Sequence, residues 1–236
     1  MLFRYLSDLV HAQISKWRGY EVPQVGLPTQ TVTPAFVVEP QEAEVIKATT
    51  RFEAAKGNIT VYPGDAIVNA ANSGLIPGGG VCGAIFAASD FDQLEEACIA
   101  LRGCPTGEAK VTPSFGMPAP WIVHAVGPVW TGGDKGEPEQ LAGAYRSALE
   151  QAHGVGARSI AFPAISTGIY GYPLADATSV AVETIRQYVE QYPDHFDAID
   201  VLCFDDKTLN CYLDTMAGKP QLSAESSIGM TGPSGM

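Results

Sequence analysis

The sequence feature that most constrains the fold is a strand, a glycine loop and a helix start that follow one another directly. An apolar run, Ala66–Val68, predicts a short buried strand, and Asn69 and Asn72 follow it at the strand end. Three glycines, residues 78–80, permit positive φ and close approach of a ligand to the backbone. A helix over residues 81–88 would direct its unpaired N–H groups and its dipole at this loop. The arrangement predicts an anion-binding site, although the two asparagines could instead cap turns.

A second stretch repeats this arrangement. Residues 159–163 predict a buried strand, and a Ser-Thr-Gly sequence, residues 166–168, precedes the next helix. In an α/β sheet, ligands bind outside the carboxyl ends of the strands, so two such loops would grip a diphosphate from both sides. Tyr170 would add an aromatic face for a sugar or base. Neither the GxxxxGK[ST] motif nor the GxGxxG fingerprint is present, which disfavours a P-loop NTPase and a Rossmann dehydrogenase.

Strands and helices alternate along the rest of the chain. Residue patterns predict further strands over residues 50–55, 108–112, 121–126 and 198–204, and helices over residues 92–101, 138–153, 174–192 and 207–216. This alternation predicts a three-layer α/β domain with a largely parallel or mixed sheet. We place the domain at residues 49–217, after an amphipathic helical extension (1–18) and a Pro-rich linker (19–48), and before a disordered tail (218–236).

Charge and cysteine usage exclude several classes of protein. The formal net charge is −12, which disfavours non-specific binding to nucleic acid or acidic membranes, so an anionic ligand must be held by backbone dipoles. No apolar run approaches the ~20 residues that span a bilayer, and Arg4, Asp8 and His11 interrupt any signal-peptide core. The five cysteines lack C-x-x-C spacing, so neither a disulfide framework nor a zinc site is predicted. We expect a cytoplasmic protein without a metal or cofactor, and the oligomeric state stays open.

Four segments, in this order, resemble the macrodomain family. They are IVNAANSGLIPGGGVCGAI (67–85), CPTGEA (104–109), IVHAVGPVW (122–130) and AFPAISTGIYGYP (161–173), and the subgroup looks MacroD-like. The resemblance implies an α/β/α sandwich with a mixed, largely parallel central sheet that binds ADP-ribose or mono-ADP-ribosylated proteins. It further implies, for this subgroup, frequent hydrolysis of ADP-ribose from proteins or deacetylation of O-acetyl-ADP-ribose.

The resemblance also implies a role for each residue that matches a family motif. Asn72 and Tyr170 would contact the distal ribose, and the two loops would enclose the diphosphate. Ile59 and Phe204 would line the adenine pocket. The implied ligand-binding residues are Asn58, Ile59, Asn72, Gly79, Gly80, Val81, Cys82, Ser166, Thr167, Gly168, Ile169, Tyr170 and Phe204. The catalytic candidates among them are Asn72, Gly80, Cys82 and Tyr170.

Three residues depart from the family pattern. Asn58 stands where the family usually has an Asp that accepts a hydrogen bond from the adenine amino group. Cys82 stands where MacroD-like hydrolases usually have an Asp linked to the catalytic water, and Phe86 stands where they usually have His. Some viral macrodomains that resemble this pattern also carry Cys after the glycine loop and are regarded as active.

Three residues that could carry chemistry are interpreted as structural. His124 lies within an apolar strand and is expected to be a core histidine with satisfied hydrogen bonds. Asp65 precedes a strand and is expected to form a turn. Cys82, at a helix start, has no obvious His or Asn partner in the sequence, which favours a pocket-lining residue over a nucleophile.

Our leading hypothesis is a macrodomain hydrolase that removes mono-ADP-ribose from protein side chains or deacetylates O-acetyl-ADP-ribose. Its mechanism would rest on proximity, and a phosphate oxygen of the substrate would act as the base. The alternative is a reader module that binds ADP-ribose without turnover. A third hypothesis, an RNA-end or phosphoester enzyme on the same fold, is disfavoured by the acidic charge.

Overall fold

A computed structural model of the chain describes residues 50–219. The predicted amphipathic extension (1–18), the Pro-rich linker (19–48) and the tail beyond residue 219 lie outside the described residues. Within residues 50–219, no helix combines the length and the apolar character that crossing a membrane requires.

The described residues alternate strands and helices as predicted. The strands are β1 (Arg51–Lys56), β2 (Ala66–Ala70), β3 (Ala109–Pro113), β4 (Trp121–Ala125), β5 (Ser159–Phe162) and β6 (Ala198–Cys203). The α-helices are α1 (Gly80–Ala88), α2 (Phe91–Ala100), α3 (Glu137–Gly154), α4 (Leu174–Gln191) and α5 (Asp206–Met216), and a 3₁₀ turn spans Ile59–Val61. Element ends differ from the predicted ones by only one or two residues.

The six strands form one mixed sheet in the order β1-β6-β5-β2-β4-β3. Every neighbouring pair is parallel except β3 and β4, which confirms the predicted mixed, largely parallel sheet. Because side chains alternate along a strand, each face of the sheet builds its own core. Ala66 and Val68 pack with α3, α4 and α5 on one face, and Ile67 packs with α1 and α2 on the other. The molecule is therefore a three-layer α/β/α sandwich.

Strand β2 runs beyond its predicted end and contains Asn69. The expectation that the Asn69 amide leaves the strand end is wrong, because β2 stays paired with β4 through Ala70. Asn69 lies opposite His124 in this pairing and is buried, with its Nδ2 atom 3.1 Å from Nδ1 of His124. Nε2 of the same ring lies 2.9 Å from Oγ1 of Thr112. Asn69 therefore belongs to a polar cluster in the core, and His124 is the core histidine that the sequence predicts.

Two carboxylates, those of Asp65 and Asp205, hold the ends of elements. Asp65 accepts hydrogen bonds from the backbone N–H groups of Arg158 and Ser159, both at 2.8 Å, and so ties the start of β2 to the start of β5. Asp205 caps α5 by accepting from the Thr208 N–H at 2.7 Å. Asp65 contacts the end of the sheet opposite to the loops that follow the strands, which agrees with its predicted structural role.

Candidate functional site: a cleft at the carboxyl ends of the strands

A cleft of about 920 Å³ opens where the loops after β2, β5 and β6 meet. These strands are neighbours and run parallel, so their carboxyl ends lie at the same edge of the sheet. All the residues that the resemblance assigns to the ligand line this one cleft: Asn58, Ile59, Asn72, Gly79, Gly80, Val81, Cys82, Ser166, Thr167, Gly168, Ile169, Tyr170 and Phe204. Their individual roles remain predictions.

The glycine loop brings bare backbone to one side of the cleft. Gly79 is the N-cap of α1 and offers no side chain to the first-turn N–H groups, which leaves these donors for a ligand. Gly80 adopts φ of 62°, the left-handed region that glycine enters without strain. Gly83 lies one turn into the helix, and a Cβ placed there would be 2.5 Å from the carbonyl oxygen of Gly78. The loop therefore packs directly onto the helix backbone.

The second loop, residues 163–173, is held in place by its own hydrogen bonds. Oγ1 of Thr167 donates to the Ala164 carbonyl at 3.0 Å, and the Tyr172 N–H donates to the Ser166 carbonyl at 3.0 Å. The Tyr170 carbonyl accepts from the Trp130 N–H at 2.8 Å. These bonds fix the loop without using a side chain from the glycine loop.

Ser166 is the strained member of this loop. It adopts φ of 67°, which is unusual for a residue with a side chain, and it is buried. Its Oγ atom has no hydrogen-bond partner among the described residues. The hydroxyl is buried, so we expect a ligand in the cleft to meet the backbone of Ser166 rather than its Oγ atom.

The two loops touch across the mouth of the cleft. A Cβ on Gly79 would lie 3.0 Å from Cδ1 of Ile169, although the Ile169 side chain is 81% exposed. Ile169 therefore lies over the glycine loop. The glycine loop and the second loop therefore face each other across the cleft.

Asn72 uses both ends of its amide to close the loop after β2. Its Nδ2 donates to the Ile76 carbonyl at 2.7 Å, and its Oδ1 accepts from the Ile76 N–H at 3.2 Å. Asn72 thus caps the turn after β2, and its role toward a ligand stays a prediction. The Nδ2 group still has a second N–H, and Oδ1 a second lone pair, so the side chain can hold a ligand while it holds the loop.

Cys82 lies beneath the glycine loop with no basic group beside it. Its Sγ is 3.7 Å from Nδ2 of Asn69 and 3.8 Å from the carbonyl oxygen of Ile76. His124 lies behind Asn69, and complete burial lowers its pKa to about 3, so its ring is neutral. These neighbours agree with the interpretation of Cys82 as a pocket-lining residue. Phe86 does not line the cleft, since it is buried in the core with its ring 5.6 Å from that of Phe91.

Within residues 50–219, the cleft has no cationic side chain. Among the described residues, no lysine or arginine lines it, and its only carboxylate, Asp205, is used to cap α5. Burial raises the pKa of Tyr170 above its ordinary value, so its phenol is protonated at neutral pH. An anion in this cleft would be held by neutral donors, as the net charge predicts.

One end of the cleft is formed by the 3₁₀ turn and the end of β6. Asn58 caps this turn through Oδ1, which accepts from the N–H of Thr60 at 3.1 Å and from its Oγ1 at 3.0 Å. Ile59 and Leu202 supply apolar surface, and the Phe204 ring is 91% exposed. An exposed ring beside aliphatic side chains suits a flat ligand group.

Sequence reasoning missed several residues of the cleft. Gly127, just after β4, is the most informative, because a Cβ there would overlap Oγ of Ser166 and lie 2.6 Å from Cγ2 of Ile165. The signal in the sequence that could have identified Gly127 as a cleft residue is its position directly after a buried strand. No group of three or more His, Cys, Asp or Glu side chains that could bind a metal occurs within residues 50–219.

Comparison with known proteins gives a consistent result. The Macro domain family model matches residues 68–181. A macro domain-containing protein of Mesorhizobium japonicum is 48% identical over 171 residues, covering 72% of this chain and 96% of that protein. An Enterobacter cloacae protein named O-acetyl-ADP-ribose deacetylase is 46% identical over 160 residues, covering 66% of this chain and 88% of the relative.

A solved structure adds the likeness of the fold. The Trypanosoma brucei macrodomain in complex with ADP-ribose superposes with a TM-score of 0.66 at 37% identity, covering 70% of this chain and 69% of that one. The sandwich, the two backbone loops and these likenesses agree with one another. The chain belongs to the macro domain family.

Proposed function

We propose that this chain binds ADP-ribose in the cleft and hydrolyses mono-ADP-ribose from protein side chains, or deacetylates O-acetyl-ADP-ribose. The observation that carries the proposal is the approach of the glycine loop and the second loop to each other across a cleft whose lining holds no lysine or arginine among the described residues. The ADP-ribose in the T. brucei structure and the name of the E. cloacae relative support the same ligand.

The diphosphate would occupy the space between the two loops and accept from the first-turn N–H groups of α1 on one side and from the second loop on the other. The positive end of the α1 dipole adds to this attraction without any formal charge. The free N–H of Asn72 and the neutral phenol of Tyr170 would hold the distal ribose. Rigid loops that position the sugar leave one water confined between a phosphate and the anomeric carbon.

In the hydrolytic step, the oxygen of this water forms a bond to the anomeric carbon as the bond from that carbon to the side-chain carboxylate breaks. The departing carboxylate carries the bonding electrons away. A phosphate oxygen of the substrate accepts the proton that the water loses, since no carboxylate of the protein lies at position 82. The products are ADP-ribose and the unmodified acidic side chain. Preorganised N–H groups stabilise the charge on the phosphate during the step.

A reader module without turnover is the second candidate function. Two observations favour it. Among the described residues, the sulfur of Cys82 makes its hydrogen-bond contacts with an amide and a carbonyl, and Phe86 lies in the core away from the cleft. Neither residue can therefore position a water as the usual carboxylate and imidazole of the subgroup would.

A turnover assay on a protein that carries mono-ADP-ribose on acidic side chains separates the two functions. We expect release of ADP-ribose by the wild type and a loss of at least tenfold in Asn72→Ala. We expect Cys82→Ala to retain turnover, because the thiol takes no part in the step. Retained modification beside calorimetric binding of ADP-ribose would establish the reader instead. Absence of binding would refute both functions.

A further inference from the structure

Asn58 lines the cleft, and the cap on the 3₁₀ turn fixes which end of its amide stays available to a ligand. The Thr60 backbone N–H can only donate, so the Asn58 atom that it meets at 3.1 Å must be the carbonyl oxygen. The Thr60 hydroxyl lies 3.0 Å from the same oxygen and fills its second acceptor site. The remaining polar group of Asn58 is its NH₂, which is a pure donor.

Rotation of this amide by half a turn would offer the carbonyl oxygen to a ligand only by giving up the cap of the turn. The NH₂ group would then face the Thr60 N–H, donor against donor, and the cap of the turn would be lost. A carboxylate at position 58 would behave differently, because one oxygen can cap Thr60 while the other accepts from a ligand. Asn in place of Asp therefore changes the group that position 58 offers to a ligand from an acceptor to a donor, without changing the shape of the cleft.

We infer that the cleft reads the edge of the ligand's base through a donor, Asn58 Nδ2, and so favours a carbonyl over an amino group at that edge. The inference rests on the proposed function, since it assigns the base to the end formed by Ile59, Leu202 and Phe204. That end offers the apolar and aromatic surface on which a purine packs. The wild-type protein should therefore not prefer adenine, and it should bind a ligand with the 6-oxo purine hypoxanthine at least as tightly as ADP-ribose.

The test measures, by calorimetry, the dissociation constants of ADP-ribose and of its hypoxanthine counterpart for the full chain. The ratio of the two constants is the readout, because both ligands carry the same diphosphate and any general effect of charge cancels. Asn58→Asp adds the missing acceptor while keeping the cap. Asn58→Ser is the matched control, because its hydroxyl also caps a helix N-terminus but is too short to reach a base.

We expect the wild type to bind the hypoxanthine ligand at least as tightly as ADP-ribose, and we expect the ratio to shift toward adenine by about tenfold in Asn58→Asp, with Asn58→Ser between them. A ratio that does not move in Asn58→Asp, or that moves toward hypoxanthine, would overturn the inference while leaving the proposed function intact. Failure of both ligands to bind the wild type would instead overturn the proposed function.

Discussion

Gly83 gives the sharpest test of how the glycine loop is positioned. The residue lies inside α1, where exchange of glycine for alanine ordinarily stabilises a helix by about 1 kcal/mol. Here the new methyl group would lie 2.5 Å from the Gly78 carbonyl oxygen, and an ordinary contact begins at 3.4 Å. The glycine loop must therefore move by about 0.9 Å in Gly83→Ala, the difference between these two distances.

A displacement of this size breaks a hydrogen bond to a ligand. An N–H···O distance of about 2.9 Å would become about 3.8 Å, which is beyond bonding range. A bond to a charged phosphate contributes about 1.5–3 kcal/mol, so we expect ADP-ribose affinity to fall between about tenfold and a hundredfold. We also expect the helix-propensity gain to be cancelled by the clash.

Calorimetry with ADP-ribose and thermal unfolding together measure both effects. Gly74→Ala is the control on the same loop, because its methyl group would make only ordinary contacts of 3.4 Å or more. If the Gly83→Ala variant binds ADP-ribose with full affinity and is more stable than the wild type, the reasoning is refuted, because the contact between loop and helix then relaxes at no cost.

Three further predictions follow from single side chains. Asn69→Leu should lower the free energy of unfolding in urea by about 1–3 kcal/mol, because Nδ1 of buried His124 loses its partner. Between pH 6.5 and pH 3, the free energy of unfolding should fall by up to about 1.4 kcal/mol for each unit by which the pH is lowered, because His124 takes up a proton in the unfolded state but not in the folded state, where its pKa is about 3. In an acid titration of stability, His124→Gln should flatten this slope. Phe204→Ala should leave the melting temperature unchanged, since the ring is 91% exposed, while ADP-ribose binds about tenfold more weakly by calorimetry.

The order of elements and the location of the cleft could be predicted from the sequence because both depend on local patterns. A buried run followed by small polar residues marks the carboxyl end of a strand, and parallel strands bring those ends to one edge. Residues after β2 and after β5, far apart in the chain, therefore meet in one cleft. The antiparallel strand β3 does not disturb this edge, because it lies at the opposite side of the sheet from β5 and β6.

Contacts between distant parts of the chain could not be predicted from local patterns. Asn69 looked like a residue at a strand end, but its place inside β2 depends on pairing with β4 and on His124 lying opposite. The importance of Gly83 and Gly127 depends on how closely other backbone and side-chain atoms approach them. The two hydrogen bonds between the Asn72 side chain and the Ile76 backbone are local. The sequence alone, however, does not show which donor and acceptor positions of the amide stay available to a ligand.

Asn58 and Cys82 have a common electrostatic consequence. Each is a neutral side chain where the family pattern usually has a carboxylate, and they line the same cleft. A carboxylate about 8 Å from a phosphate repels it by about 0.5–2 kcal/mol, depending on the local dielectric constant. The chain has a net charge of −12, and among the described residues no lysine or arginine lines the cleft. Repulsion between a carboxylate and the phosphates would therefore not be offset by a cation, and the residues at positions 58 and 82 remove it. Under the proposed function, the same exchange also takes away an acceptor for the base and a carboxylate for the water, so we expect a higher affinity for the diphosphate together with lower base selectivity and slower hydrolysis.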